Sequence, residues 1–202
     1  MYTSKKMEDK AAIRKYFSTF TSISDQLWDY LESIFVLRQL NPSDYFARSG
    51  EYARKFGFLE SGCLRAFFTN EAGKEYNKQF FVGPTLIGAF TSLLTDQPNQ
   101  IPQQALTSCR IWEADYRHIT EKYNEYPSLE RISRLLAEHY FLEKEKKELE
   151  LALDDARTRY LRFQEQYPGL EQQVPLYHIA SYLSITPTQL SRIRRDLASP
   201  ST

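Results

Sequence analysis

Residues 174–197 read VPLYHIASYLSITPTQLSRIRRDL, and these residues indicate how the C-terminal part of the chain folds. Pro175 suits the start of a first short helix. Thr186 and Pro187 supply an N-cap and a first-turn proline for a second helix. Residues 184–186 form the turn between them. Two short helices joined by a three-residue turn are typical of a helix-turn-helix.

The apolar positions of this stretch predict which side of each helix is buried. The inward residues are Ile179, Ala180 and Leu183 on the first helix, Ile185 in the turn, and Leu190, Ile193 and Leu197 on the second. The residues left for a partner are Tyr177, Thr186, Thr188, Gln189, Ser191, Arg192 and Arg195. Gln and Arg can bond the edges of adenine and guanine, so this face is predicted to bind double-stranded DNA. Gln189 has a second interpretation, because Thr186-x-x-Gln189 is also a capping box.

Between about residues 36 and 114, short apolar segments alternate with turn residues. The predicted strands are 36–40, 55–59, 63–69, 74–82, 103–107 and 110–113. Several short strands with regular turns indicate an antiparallel barrel, roll or sandwich. A helical pattern precedes them over residues 8–36, with Ser24 as an N-cap inside it.

Residues 127–153 predict one long helix with Pro127 in its first turn. Its apolar stripe is Leu129, Ile132, Leu135, Leu136 and Leu142. Such a helix must cover the strand domain or pair with a second copy of itself, and we expect both. The run at residues 143–148 has mixed charges, which is typical of a solvated face. Asp154-Asp155 interrupts the helix, and another is predicted over 156–167.

Bulk composition limits the classes of protein. The chain has 202 residues, 42% of them hydrophobic, and no formal net charge. It has no apolar run long enough to span a membrane and no signal-peptide core, which predicts a cytoplasmic protein. Zero net charge is mild evidence against DNA binding. Cys63 and Cys109 are predicted to be buried free thiols. The three histidines are scattered and are predicted to be ordinary structural or surface residues.

These motifs together resemble the catabolite activator and Fnr-type (Crp/Fnr) regulator family, in particular its short Bacteroidetes-type members. Residues 179–194 are similar to the family's helix-turn-helix, 57–65 to its N-terminal β-roll hairpin, and 151–155 to its hinge. The resemblance implies an α+β fold with an antiparallel β-roll sensor domain and dimer helix at 1–153, and a winged DNA-binding domain at 154–202. It implies a homodimer that reads a palindrome, with RNA polymerase as a candidate partner.

The cyclic AMP site of the family is degenerate in this chain. Gly88 matches, but Ala89 replaces a Glu, and Asn99-Gln100 stands where an Arg-Ser pair is expected. Lys144-Glu145 falls where the dimer helix would contact adenine. A cyclic phosphate needs a cation or several N–H donors, so we expect no response to cyclic AMP. No metal or cofactor is expected, and the effector is unknown or absent.

The C-terminal region departs from the family pattern at two further positions. Ser184 stands where a turn Gly is usual, and Thr202 comes too early for a full C-terminal wing, which predicts a reduced or absent wing.

Two alternative functions are considered for this sequence. One alternative is an effector-sensing β-roll protein that acts through protein partners without specific DNA binding. The other is a cupin-like enzyme, which needs clustered His ligands. Residues 36–114 contain no His, which argues against the enzyme.

Overall fold

Two antiparallel four-stranded sheets form the centre of the N-terminal part. The computed structural model describes the backbone of residues 2–198 and the side chains of residues 10–198. The strands are β1 Val36–Leu40, β2 Tyr45–Ala47, β3 Lys55–Ser61, β4 Cys63–Thr69, β5 Glu75–Val82, β6 Thr85–Gly88, β7 Gln103–Ala105 and β8 Cys109–Asp115. The sheet orders are β1-β8-β3-β6 and β2-β7-β4-β5. This arrangement confirms the predicted α+β class with a β-roll.

Residues 57–65 do not form a paired hairpin, contrary to the expectation for that segment. Strand β3 pairs with β6 and β8 in the first sheet, whereas β4 pairs with β5 and β7 in the second. Gly62 lies between them with a φ of 99°, a left-handed conformation that glycine adopts without strain. A Cβ there would also lie only 2.4 Å from the carbonyl oxygen of Ser108. The chain therefore passes from one sheet to the other at this residue.

Eight helices are described around and after the sheets. They are α1 Tyr2–Ser18, α2 Asp25–Ile34, α3 Phe90–Thr95, α4 Tyr116–Thr120, α5 Pro127–Leu153, α6 Ala156–Gln166, α7 Leu176–Tyr182 and α8 Pro187–Ala198, with a short 3-10 helix at Leu170–Gln172. The predicted helical region 8–36 is two helices, and the hydroxyl of Ser24 caps α2 by accepting from the amide of Leu27. The bounds of α5 agree with the prediction.

Two apolar clusters stabilise the β-roll. The cluster between the sheets includes Leu59, Leu64, Ile87 and Ile111, and all four are fully buried. A second cluster lies outside the first sheet, where Phe58 and Trp112 pack with Leu27 and Leu31 of α2 and with the first turns of α5. Cys63 and Cys109 are buried and free, as predicted.

A third cluster joins the C-terminal helices to the β-roll. Phe163, Ile179, Leu183 and Leu190 are buried in it together with Phe80 of β5. The C-terminal helices thus share a core with the second sheet. Residues 199–202, where a wing was considered, lie outside the described residues. Among residues 2–198, no helix is long and apolar enough to cross a membrane.

Candidate nucleic-acid interface

Helices α7 and α8 are joined by a tight turn whose backbone is held by hydrogen bonds. The amide of Ser184 donates to the carbonyl of Ser181 at 3.2 Å, and that of Ile185 donates to the carbonyl of Ala180 at 3.0 Å. Ser184 has a φ of 57°, in the left-handed region. This is the position where the family usually has a Gly. Here a serine adopts the left-handed φ angle, which costs a residue with a Cβ some strain. Leu183 and Leu190 are both fully buried between the two helices.

The first turn of α8 is closed by the predicted capping box. The amide of Gln189 donates to the Thr186 hydroxyl at 3.1 Å, and the amide of Thr186 donates to Oε1 of Gln189 at the same distance. These bonds satisfy backbone donors that a helix start leaves unpaired. The side-chain oxygen of Gln189 is therefore engaged at the helix end, which leaves its amide nitrogen as the group that can reach outward.

The predicted partner-facing side chains lie together on the exposed surface of α7 and α8. The exposed set is Tyr177, Thr186, Thr188, Gln189, Ser191, Arg192 and Arg195. The predicted inward residues lie on the other side, where Ile179 and Leu190 have no exposure and Ile193 and Leu197 are partly buried against the same cluster. The polar face of this helix pair is therefore open to a partner.

The three neighbouring arginines of α8 do not share one role. Arg194 is half-buried, and its Nε lies 3.9 Å from Oε2 of Glu171. That carboxylate also accepts from the hydroxyl of Tyr160 at 2.5 Å. Arg192 and Arg195 are exposed. Arg192 and Arg195 are thus more exposed than Arg194, and Nε of Arg195 lies 3.6 Å from Oδ1 of Asp196, which is itself exposed.

The residues of the degenerate effector pocket differ in their exposure. Gly88 and Ala89 are buried where β6 meets α3, and Gln100 is exposed. The side-chain nitrogen of Asn99 donates to the carbonyls of Arg48 and Ile101, both at 3.0 Å, so its donors are used within the protein.

The space beside Gly88 is filled by side chains of the protein itself. Nε2 of Gln103 donates to the carbonyl of Gly88 at 2.9 Å. A Cβ on Gly88 would lie 3.2 Å from Phe90 and 3.4 Å from Leu93. Oε1 of Gln103 is buried without a hydrogen-bond partner. An acceptor oxygen and apolar side chains do not fit a cyclic phosphate, which requires donors.

The α5 residue beside the pocket is Tyr140. Its hydroxyl donates to the carbonyl of Leu86 at 3.0 Å, and its ring lies 6.5 Å from that of Phe90. Lys144 and Glu145 are exposed one turn later, and Lys144 pairs with Glu148 at 3.6 Å. The residues predicted to contact adenine therefore lie about one helical turn after Tyr140, the α5 residue that faces the β-roll.

The predicted dimer stripe of α5 divides into two parts. Leu129 and Ile132 are each 3% exposed in the core of their own chain, and Leu136 packs against that core. These three therefore cover the β-roll, and Leu129 and Ile132 are unavailable to a second copy. Leu135 is half-buried, and Leu142 is 61% exposed.

The sequence prediction missed further exposed apolar residues on either side of Leu142. Phe141, Leu149 and Leu153 are 58%, 59% and 78% exposed. Leu135, Leu142 and Leu149 recur every seven residues, and that spacing was visible in the sequence. A seven-residue apolar repeat is the pattern by which two helices pair.

Residues 37–126 match the family model described as "Cyclic nucleotide-binding domain". The sequence matches none of the curated proteins with which it was compared. Among the described residues, no group of three or more His, Cys, Asp or Glu side chains could hold a metal ion.

Solved structures of bacterial regulators share the fold. The c-di-GMP responsive global regulator CLP of Xanthomonas campestris aligns with 14% identity and a TM-score of 0.67 over 86% of this chain and 91% of that one. FixK2 of Bradyrhizobium japonicum aligns with 13% identity and a TM-score of 0.71 over 81% and 84%. The catabolite activator protein of Thermus thermophilus aligns with 19% identity and a TM-score of 0.56 over 89% and 85%.

Proposed function

Residues 37–126 are a cyclic nucleotide-binding domain in a chain with the Crp/Fnr transcriptional regulator fold, and from this premise we propose that the protein is a DNA-binding transcriptional regulator. The main support for the proposal is the exposure of one face of α7 and α8. Every side chain predicted to contact DNA is exposed there, while the leucine and isoleucine side chains of both helices are buried or partly buried. The N-terminal part of α8 enters the major groove.

Individual residues of this face have distinct roles in the proposal. Arg192 reads a base edge, because arginine bonds guanine in a bidentate manner. Arg195 binds a phosphate of the DNA. Tyr177, which is 57% exposed at the start of α7, contacts the sugar-phosphate backbone of the DNA beside the groove. Gln189 contacts DNA through its amide nitrogen while its oxygen caps the helix.

The regulator acts as a homodimer through α5. Exposed leucines on a long helix favour burial against a second copy, at roughly 25 cal/mol for each Å² of apolar surface removed from water. Leu135, Leu142 and Leu149 supply the seam, and Leu153 continues it to the end of the helix. A symmetric pair presents two α8 helices to half-sites roughly 34 Å apart.

Cyclic AMP is not the effector in this proposal. The side-chain donors of Asn99 bond the protein's own carbonyls, and Phe90, Leu93 and Gln103 fill the space beside Gly88. The effector is another small molecule or none. RNA polymerase is the candidate protein partner at promoters, and the cytoplasm is the compartment in which such a regulator acts.

A second function is supported by two observations, namely the zero net charge and the engagement of the Gln189 oxygen in the capping box. Both weaken DNA affinity and favour a β-roll protein that acts through protein partners. Selection of duplexes from a random-sequence pool by the full chain separates the two functions. We expect enrichment of a palindrome whose half-sites are one helical turn apart, with affinity that falls as salt rises. Failure to enrich any sequence would favour the protein-partner function.

A further inference from the structure

A buried polar cluster joins the second sheet to α7. Its members are Arg65 on β4, Glu75 and Asn77 on β5, and His178 and Ser181 on α7, and we call these five residues the sheet–helix junction. Arg65, Asn77 and His178 are only 5%, 6% and 5% exposed. Because polar groups buried this deeply need partners, their hydrogen bonds determine how α7 lies on the sheet.

Arg65 is the charged centre of the junction. Its Nη1 donates to Oε2 of Glu75 at 2.5 Å and to Oδ1 of Asn77 at 3.2 Å. Its Nε and Nη2 donate to Oε1 of Gln104 at 3.0 and 2.7 Å, and its guanidinium carbon lies 3.8 Å from the centroid of the Phe67 ring. Contacts with the sheet therefore hold the guanidinium of Arg65 in place, and one edge of this group faces α7.

His178 meets that edge from the helix side. Its Nδ1 lies 3.3 Å from Nη1 of Arg65 and 3.2 Å from Nδ2 of Asn77. Both neighbours are donors, so Nδ1 accepts and the imidazole is neutral with its proton on Nε2. Burial, together with the positive charge of Arg65, lowers the pKa of His178 to about 4, in agreement with a neutral ring.

Backbone groups complete the junction. Nδ2 of Asn77 donates to the carbonyl of His178 at 2.8 Å, and the Asn77 amide donates to Oγ of Ser181 at 2.9 Å. The Ser181 hydroxyl donates in turn to the carbonyl of Glu75 at 3.2 Å. These contacts span both turns of α7, so they fix its rotation as well as its distance from β5.

Apolar contacts beside the junction hold the helix but do not select one orientation. The ring of Phe80 lies 6.1, 5.8 and 5.2 Å from the rings of Phe163, Tyr167 and Tyr182. Nζ of Lys147 on α5 lies 3.7 Å from the Tyr182 ring centroid. Apolar burial is non-directional, whereas hydrogen bonds lose strength with a change of angle. Beside the bond that the Tyr167 hydroxyl donates to the carbonyl of Phe80 at 3.4 Å, the junction supplies the directional contacts between α7 and β5.

The position of α7 fixes that of α8, because the two helices share the buried Leu183 and Leu190. We propose that the sheet–helix junction holds the helix-turn-helix in one orientation on the β-roll without any added ligand. The regulatory role of the junction rests on the proposed function, in which α8 reads DNA. When the junction already orients α8, no effector is needed to order this helix. In this proposal the orientation that the junction holds is the one that binds DNA, so loosening the junction lowers DNA affinity, since only a fraction of molecules then has the competent orientation.

The test measures orientation in the full chain without DNA. Spin labels at Glu71→Cys and Asp196→Cys, both exposed positions, report the distance between the β4–β5 turn and α8 by pulsed EPR. Two substitutions are compared, His178→Ala, which removes the acceptor, and His178→Asn, whose side-chain oxygen replaces Nδ1. Ala is the better helix former, so local helix stability alone would favour the alanine variant. Ser181→Ala is a milder second variant, which guards against misfolding of the first.

Labelled chains are diluted in an excess of unlabelled chains, so that each dimer holds at most one labelled copy. We expect one narrow intrachain distance in the unsubstituted chain and in His178→Asn, a broad distribution in His178→Ala, and an intermediate one in Ser181→Ala. On a duplex selected by the unsubstituted chain, His178→Ala should bind about tenfold more weakly or worse, and His178→Asn within about threefold. Narrow distributions in both alanine variants would overturn the proposal, and so would a broadened variant that binds as tightly as the unsubstituted chain. If the unsubstituted chain selects no duplex, the proposed function fails, while the distances still decide whether the junction fixes orientation.

Discussion

Nδ1 of His178 lies 3.3 Å from Nη1 of Arg65, although 113 positions separate the two residues along the chain. A positively charged group that cannot lose its proton thus faces a histidine in a buried site. Protonation of the imidazole would place two cations together and would remove the acceptor for Asn77. Glu75, bound to the same guanidinium, is the acidic group that faces them.

The first prediction concerns pH. The pKa of His178 is about 4 in the folded chain, below its ordinary value of 6.5, so the unfolded state binds more protons between these two pH values. The free energy of unfolding should therefore decrease as pH falls from 6.5 towards 4, by up to roughly 3 kcal/mol from this group. Urea titrations across that range measure it.

Carboxylates titrate over the same range, so the contribution of His178 is taken as a difference between variants. His178→Asn should lose less stability on acidification than the unsubstituted chain. His139→Asn, at an exposed histidine of α5, should not. Equal pH dependence in all three chains would contradict the buried, neutral His178.

The second prediction concerns the turn between α7 and α8. Ser184 has a φ of 57°, which costs a residue with a Cβ roughly 1–2 kcal/mol. Ser184→Gly should raise the free energy of unfolding by about 1 kcal/mol, part of the relief being offset by the greater backbone freedom of glycine in the unfolded chain. Chemical denaturation measures this. Ser184→Ala keeps the Cβ and is the control; stabilisation of both variants alike would show that the φ angle is not the cause.

The third prediction concerns the oligomeric state. The double variant Leu142→Glu with Leu149→Glu places charges in the proposed seam of α5 and should raise the dimer dissociation constant at least about a hundredfold, or about 2.7 kcal/mol. Sedimentation velocity measures the shift to monomer. Leu94→Glu, a 67% exposed leucine on α3, is the matched control and should remain a dimer. A dimeric double variant would place the interface elsewhere.

The fourth prediction concerns cyclic AMP. Because the donors around Gly88 are used within the protein, titration calorimetry should show no binding of millimolar cyclic AMP, and the melting temperature should not rise in its presence. Dissociation in the micromolar range would contradict the closed pocket.

The local signals of the sequence predicted much of this fold. Pro127 and Asp154-Asp155 gave the bounds of α5, and Thr186-Pro187 gave the start of α8, because caps and prolines act within one turn. Short elements were missed, namely β2, β6, α3 and α4. The three residues of β2 and the four of β6 become strands only through pairing with distant partners, to which local periodicity is insensitive.

The site was predicted less completely than the fold. The exposed face of α7 and α8 follows from helical spacing, so its residues could be identified. The sheet–helix junction could not, since Arg65 and Asn77 lie on strands and meet His178 only after the chain folds back. The stripe of α5 was expected to serve both the β-roll and a second copy, but the sequence did not show that Leu129 and Ile132 belong to the core, because an apolar residue does not indicate which apolar surface covers it.

The affinity of Arg192→Ala for the selected duplex, measured by fluorescence anisotropy at a fixed salt concentration, tests whether α8 reads DNA. We expect a loss of about 1–3 kcal/mol with relaxed preference at one base pair of each half-site. Arg48→Ala, at an exposed arginine of the β-roll, should bind as the unsubstituted chain does. Unchanged affinity and unchanged sequence preference in Arg192→Ala would contradict the assignment of α8 as the helix that reads DNA.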